Sequence, residues 1–285
     1  MSPELFVILV LICSVLAGLV GSLTGLGGGG ILTPLLVIAF GVDMKYAIGA
    51  SLVAVVATSS GAAAAYVRDG FTNVRLAMIL EVATVAGAVV GAIVAAYLPI
   101  AVISLIFGAV MLWTAFNTVM QTKKSADAQS TSASADNGPV DPISTKLSLD
   151  STYPTANGLQ TYRVHHVKTG FAIMFGAGIL SALVGIGSGI VKVLAMDRIM
   201  RLPFKVSTTT SNFMIGVTAA ASAGVYLHRG QIEPTVAAPV AIGALAGSFI
   251  GAKLLARMPV KILRILFAII VGIAAVQMVW KGLHT

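Results

Sequence analysis

The sequence predicts an all-α integral membrane protein made of two inverted repeats, each a glycine-broken helix hairpin plus three transmembrane helices. Three observations carry that expectation. Hydrophobic residues make up 57% of the 285 residues and charged residues only 10%, whereas a soluble domain needs roughly a quarter charged to stay hydrated. Apolar runs of spanning length recur along the chain. The third observation is a match between the halves at an offset of 160 positions, which aligns Gly25-Leu26-Gly27-Gly28-Gly29 with Gly185-Ile186-Gly187-Ser188-Gly189.

The offset holds without a gap. It pairs Lys45 with Lys205, Ser51 with Ser211, Thr58 with Thr218, Tyr66 with Tyr226, Gly87 with Gly247, Gly91 with Gly251 and Pro99 with Pro259. A register kept that long marks a duplicated unit. In membranes, duplicated units whose apolar segments are broken by glycine are built around a site at the breaks.

The first apolar run, residues 5–24, has Glu4 as its only early charge and lacks the basic start and cleavage site of a secretory signal. The duplication also requires it, as the counterpart of residues 167–184. Segments follow at 31–40, 46–67, 76–97 and 100–120, and in the second half at 190–200, 206–227, 234–256 and 261–281. Most run to about 20 residues, which at about 1.5 Å each cross a hydrocarbon core of about 30 Å. The segments 31–40 and 190–200 reach only about 15 Å, so each is expected to fold back on the helix before it. Such a hairpin returns to its starting side whether it crosses fully or is re-entrant. Three more spans make an odd number of crossings, so the second half enters from the opposite face.

The basic residues test this topology. Arg68, Arg75, Lys123, Lys124, Arg198, Arg201, Lys205, Lys253, Arg257, Lys261 and Arg264 share one face with the bases of residues 121–166; the other face keeps Lys45, Arg229 and Lys281. The first face is therefore expected to be cytoplasmic and both termini outside, in a multi-pass protein of the plasma or inner membrane. Topology also accounts for the net charge of +8 better than nucleic-acid binding does, because the bases sit between apolar runs. Residues 1–120 and 167–285 form the two repeats. Residues 121–166, rich in Ser, Thr, Asp and Ala with turn signals at Asn137-Gly138-Pro139 and Asp141-Pro142, read as a flexible cytoplasmic linker, a plain tether.

The glycine breaks carry the chemistry. Gly25-Leu26-Gly27-Gly28-Gly29-Gly30 matches G-x-G-x-x-G, but an apolar helix precedes it where a dinucleotide fold needs a strand. Where a membrane helix breaks, its backbone groups must bind something else, and segments starting directly after glycines point N–H groups and positive dipole ends into the loop. An anion suits that arrangement, held by Gly27, Gly28 and Gly29 in one half and Gly187, Ser188 and Gly189 in the other. Close helix packing is the plain alternative. Lys192 stands where the first half has Leu32, and a lysine inside a membrane segment is a functional hypothesis by default. Ser51, Ser211 and Asn212 offer hydroxyls and an amide, although Ser and Thr also bond to their own helix.

Glu81 could carry a coupling proton, but its position near Arg75 favours a structural ion pair. Gly87-x-x-x-Gly91 and Gly247-x-x-x-Gly251 let helices approach closely, within the chain in the safer reading or across a homodimer. Cys13 is the single cysteine, and His165 and His166 lack a ligand pattern, so neither a metal nor another cofactor is expected. No G-x-S-x-G, H-E-x-x-H or Walker loop occurs and no histidine lies in a span, which argues against an enzyme.

The glycine loop in each half, the short segment after it and the Ser/Thr-bearing helix that ends in Tyr226 and turns through Gly230-Gln231-Ile232-Glu233-Pro234 resemble the TauE/SafE, or sulfite exporter, family. The resemblance covers all but the linker. It implies a transporter of sulfite, organosulfonates such as sulfoacetate, or related anions, working by alternating access, with export the expected direction. Departures from the family pattern are Leu194 where the first half has Pro34, and Ser188 in place of a glycine. A passive anion channel, or a membrane anchor acting through the linker, are the competing readings.

Overall fold

The structure is a computed structural model that describes residues 2–24, 27–68, 70–99, 101–106, 108–110, 112–113, 141–155, 158–185, 188–255, 272 and 276. The described residues are mostly helical. In the first half they form α1 (Pro3–Thr24), α2 (Gly29–Ile38), α3 (Met44–Arg68) and α4 (Val74–Ala95), with further helical turns between residues 101 and 113. After α5 (Pro142–Lys146) and a hairpin of β1 (Ser151–Thr155) and β2 (Gly158–Tyr162) come α6 (Val167–Val184), α7 (Gly189–Leu194), α8 (Phe204–His228) and α9 (Pro234–Leu255). The expected segment 261–281 lies outside the described residues apart from 272 and 276.

Among the described residues four helices are long and apolar enough to cross a membrane: within α1, α3, α4 and α9. The bundle's outer faces agree. Leu16, Val82 and Ile242 are 60%, 65% and 62% exposed, a perimeter that water would penalise and lipid would not. The protein is a multi-pass membrane protein.

Both short segments fold back as their length requires. The Phe6 ring meets Phe40 edge-on at 5.5 Å between centroids, so the chain has returned to the end where α1 began. In the second half the N–H of His165 donates to the Met200 carbonyl at 3.1 Å, and Gly170 lies against the Met200 side chain. The second hairpin differs in one respect. Its short helix is only Gly189–Leu194, and the chain continues as one π-helical turn over Ala195–Ile199.

Between the halves the helices pack through glycine. Gly87 and Gly91 of α4 lie against the backbone of Phe175 and Ile179 in α6, and Gly178 lies against Thr84. The offset copies recur: Gly247 on Val15, Gly251 on Leu19 and Gly18 on Ala244. A Cβ at any of these glycines would enter neighbouring backbone, so only glycine permits the approach. Contacts advance together along both chains, from Gly243 on Leu11 to Gly251 on Leu19, so α1 and α9 run parallel, as do α4 and α6. The small-residue stripes thus serve packing within the chain.

Residues 141–162 correct the tether reading. Leu149, Tyr153, Tyr162 and Val164 are buried in one cluster with Leu76, Met200, Val206 and Met214. These side chains, sparse in a polar stretch, dock the hairpin onto α4 and α8 instead of forming a core of their own. Polar bonds fix the seat. Asn73 caps α4 by accepting from the Leu76 N–H at 3.0 Å, and its amide donates to the Leu149 carbonyl and the Tyr162 hydroxyl, each at 2.9 Å. Asp141 accepts from the N–H of Ile143 and of Val167, each at 2.9 Å. Residues 121–140 lie outside the described set.

Candidate functional site

The two glycine loops meet inside the bundle. Gly27 and Gly28 have φ of 75° and 71°, and Gly185 of 69°, left-handed geometry that glycine adopts without strain. Gly29 lies directly against the Gly185 carbonyl, with Val55 on its flank, and Gly27 faces Val55 and Ile215. At this junction the loops touch each other and apolar side chains. Gly187 lies outside the described residues.

The hydroxyls expected at the site split by half. Ser51 accepts a bond from the Thr33 hydroxyl at 2.8 Å, joining α3 to α2. Ser211 donates to the Gly189 carbonyl at 3.2 Å, joining α8 to α7. Each is committed to the segment that follows its own glycine loop. A third link crosses between the halves, from the Ser59 hydroxyl to the Asn212 carbonyl.

Around the second loop other polar groups are buried without such commitments. The Ser188 hydroxyl, the Asn212 amide nitrogen and the Ser181 hydroxyl have no hydrogen-bond partner among the described residues. Ser181 lies one turn before Gly185, its carbonyl accepting the Gly185 N–H. Ser188 opens α7 with φ of 48°, and Asn212 follows the serine that bonds Gly189. Buried polar groups are nearly always satisfied, so three unsatisfied ones around a single loop call for an explanation. Ser207 and Thr72 also lack partners among the described residues; Ser207 lies on α8 one turn before Ser211, and Thr72 precedes α4.

Lys192 stands one turn after Ser188, whose carbonyl accepts the Lys192 N–H. It is fully buried. Its ammonium donates to the Thr218 hydroxyl at 2.5 Å, and that hydroxyl donates to Glu81 Oε1 at 2.6 Å. The Met214 carbonyl, at 3.0 Å, competes for the single hydroxyl proton, but a carboxylate is the stronger acceptor. The ammonium is 4.0 Å from Glu81 Oε2. The expected pairing of Glu81 with Arg75 is therefore wrong. Arg75 reaches out to the Ser148 carbonyl at 3.0 Å, leaving the buried carboxylate to Lys192.

Sequence reasoning named Lys192 and Glu81 separately and missed Thr218, which bridges them. Its signal was present, because the duplication pairs it with Thr58. Among the described residues, Thr58 bonds back to the Ala54 carbonyl of its own helix at 2.6 Å.

Electrostatics at the ends of the bundle follow the hairpins. Gly49 packs on the Gln231 carbonyl, setting Lys45 and Arg229 at one end, whereas Lys205 lies over the Phe71 ring at 6.0 Å at the other, beside Arg75 and the docked hairpin. There, burial pushes the Tyr162 hydroxyl above its ordinary range. Among the described residues no group of three or more His, Cys, Asp or Glu is placed to hold a metal.

Comparison with known proteins now bears on this arrangement. The family model for the sulfite exporter TauE/SafE matches residues 10–278. The chain belongs to the TauE/SafE family. Two relatives of this TauE/SafE chain come from Bacillus subtilis (strain 168). "Probable membrane transporter protein YunE" is 27% identical over 288 residues, covering 98% of this chain and 99% of the relative. "Probable membrane transporter protein YdhB" is 23% identical over 260 residues, covering 90% and 93%. No solved structure matches. Family and relatives agree on a membrane transporter, which fits glycine loops buried in a membrane bundle.

Proposed function

We propose that the chain transports small sulfur-containing anions, sulfite or organosulfonates such as sulfoacetate, by alternating access. The observation that carries this reading is the set of unsatisfied buried groups around the second loop. Ser188, Asn212 and Ser181 can all donate, and Lys192 adds the positive charge one turn away. A tetrahedral or pyramidal oxyanion offers several acceptors to such a set. The substrate class rests on the family's printed description, and one scaffold hosts several anions.

The alternating-access reading rests on inverted halves. If the halves pointed the same way, α9 would be antiparallel to α1, because α4 runs opposite to α1 once the first hairpin has closed. Parallel packing of α1 on α9 and of α4 on α6 supports the inverted arrangement. The site then lies where the halves meet, and rocking one half against the other exposes it to each side in turn. In the same topology the docked hairpin faces the cytoplasm.

Counterflow in proteoliposomes tests this function. Labelled sulfite and sulfoacetate should enter along a saturable curve, several-fold faster when the same anion is inside. A flux that rises linearly with concentration and ignores the anion on the far side would instead identify a passive channel.

A further inference from the structure

Given the transporter reading above, Lys192 poses a problem, because its charge is already matched. The Lys192–Thr218–Glu81 chain is closed, buried and neutral overall: one ammonium, one hydroxyl and one carboxylate. An anion that joined it unchanged would leave a net negative charge in a dry interior, which is strongly unfavourable. An anion that merely displaced Glu81 would strand the carboxylate, at comparable cost.

A single proton resolves both difficulties. We propose that each monoanion enters the site together with one proton, which Glu81 takes up as it releases Lys192, so that the protein is a proton–anion symporter. The exchange balances. The Glu81 carboxylate plus a proton gives the neutral acid, a monoanion takes its place beside the ammonium, and the pocket stays neutral throughout. Glu81 Oε2 is the natural acceptor, since it has no hydrogen-bond partner among the described residues while Oε1 is held by Thr218. Thr218 can then turn its hydroxyl proton to the Met214 carbonyl, already at 3.0 Å.

The surroundings leave this role to Glu81. From α7 it faces Lys192, from α8 Thr218, and Thr84 lies one turn along α4. The only charged residue on α6 is Lys168, in its first turn, and those of α8 are Lys205 and the titratable His228 at its two ends. Asp197 and Arg198 belong to the π turn beyond α7. Arg75, at the start of α4, is engaged by Ser148.

The test uses the full chain in proteoliposomes with methanesulfonate, sulfoacetate and sulfite as probes. Methanesulfonate does not titrate near neutral pH, so any response to pH comes from the protein. Exchange at equal pH is measured first. If no probe exchanges, the transporter reading itself fails and the coupling falls with it. For any monoanion that exchanges, a gradient of one pH unit should drive about tenfold accumulation, the ratio set by one proton per anion, and a membrane potential should add nothing. Accumulation that ignores the pH gradient, or follows the potential alone, overturns the coupling and leaves the transporter standing.

Glu81→Gln should collapse the ratio to unity, and Glu81→Asp should restore it. A Glu81→Gln variant that still accumulates tenfold removes Glu81 from the mechanism. Should Glu81→Gln fail to fold, wild-type protein gives a second measurement, because lipophilic carbodiimides modify protonated carboxyls in membranes. Labelling of Glu81, read by mass spectrometry, should rise when a transported anion is added at constant pH. No change or a fall contradicts the proposal.

Discussion

Leu32 and Lys192 occupy equivalent positions after the two glycine loops, and both are fully buried. To Lys192, Thr218 and Glu81 in the one set correspond Leu32, Thr58 and Ala241 in the other. Backbone, loops and threonines are shared, yet one set carries no charge and the other holds a buried ion pair. The unsatisfied donors Ser181, Ser188 and Asn212 lie on the charged side as well, where the first half has Gly21, Gly28 and Leu52. The duplication therefore supplied a symmetric scaffold in which only one of the two equivalent sets carries charge. The uncharged set shows what the backbone needs for packing, and the charged set shows what has been added.

The largest effect should come from splitting the pair. Glu81→Leu alone leaves a buried ammonium without its counter-charge and should cost about 3–5 kcal/mol, read as a lowered unfolding temperature in detergent. Adding Lys192→Leu, which copies the first half, should recover most of that stability. If the double variant is no more stable than Glu81→Leu, the pair is not the reason Lys192 tolerates burial.

Where the halves agree, substitutions should agree too. Gly87→Val and Gly247→Val each push a side chain into the facing backbone, and should cost similar amounts, about 1–3 kcal/mol or more. A large difference in melting temperature between them would show that the two seams are not equivalent.

Asn73→Ala removes a helix cap worth about 1 kcal/mol and two bonds to the docked hairpin at a similar net value each. The corresponding position in the other half, Glu233, is exposed. Limited proteolysis should therefore cut residues 151–162 faster in Asn73→Ala, whereas Glu233→Ala should leave the rate unchanged.

The smallest effect concerns Asp141. Partial burial pushes its carboxyl up, but the N–H groups of Val167, Ile143 and Ser144 outweigh this, and with His166 nearby they hold it below the usual aspartate value. Because the folded value is depressed, its contribution is present above the ordinary range and is lost as pH falls through the folded value. Amide exchange in the first turn of α6 should quicken below that point in the wild type. In Asp141→Asn the same amides should show no such step.

Much of this was legible beforehand. Among the described residues, segment boundaries fell within a few residues of the helices because apolar length is dictated by the membrane, and the glycine stripes were visible as a constant offset. The ion pair was not. Glu81 and the bridging Thr218 are 137 positions apart, no periodicity links them, and Arg75 stood misleadingly close in sequence. The docked hairpin escaped for another reason. Its few apolar side chains cannot form a core alone, and composition does not reveal that α4 and α8 provide the remainder.

The central claim, that the anion is handled beside the second glycine loop, is tested most directly by comparing Lys192→Ala with Leu32→Ala in the counterflow assay. Lys192→Ala should abolish saturable exchange or raise the half-saturating concentration at least tenfold, while Leu32→Ala should leave that concentration near the wild-type value. Equal shifts in the two variants, or an unchanged value in Lys192→Ala, would contradict the account.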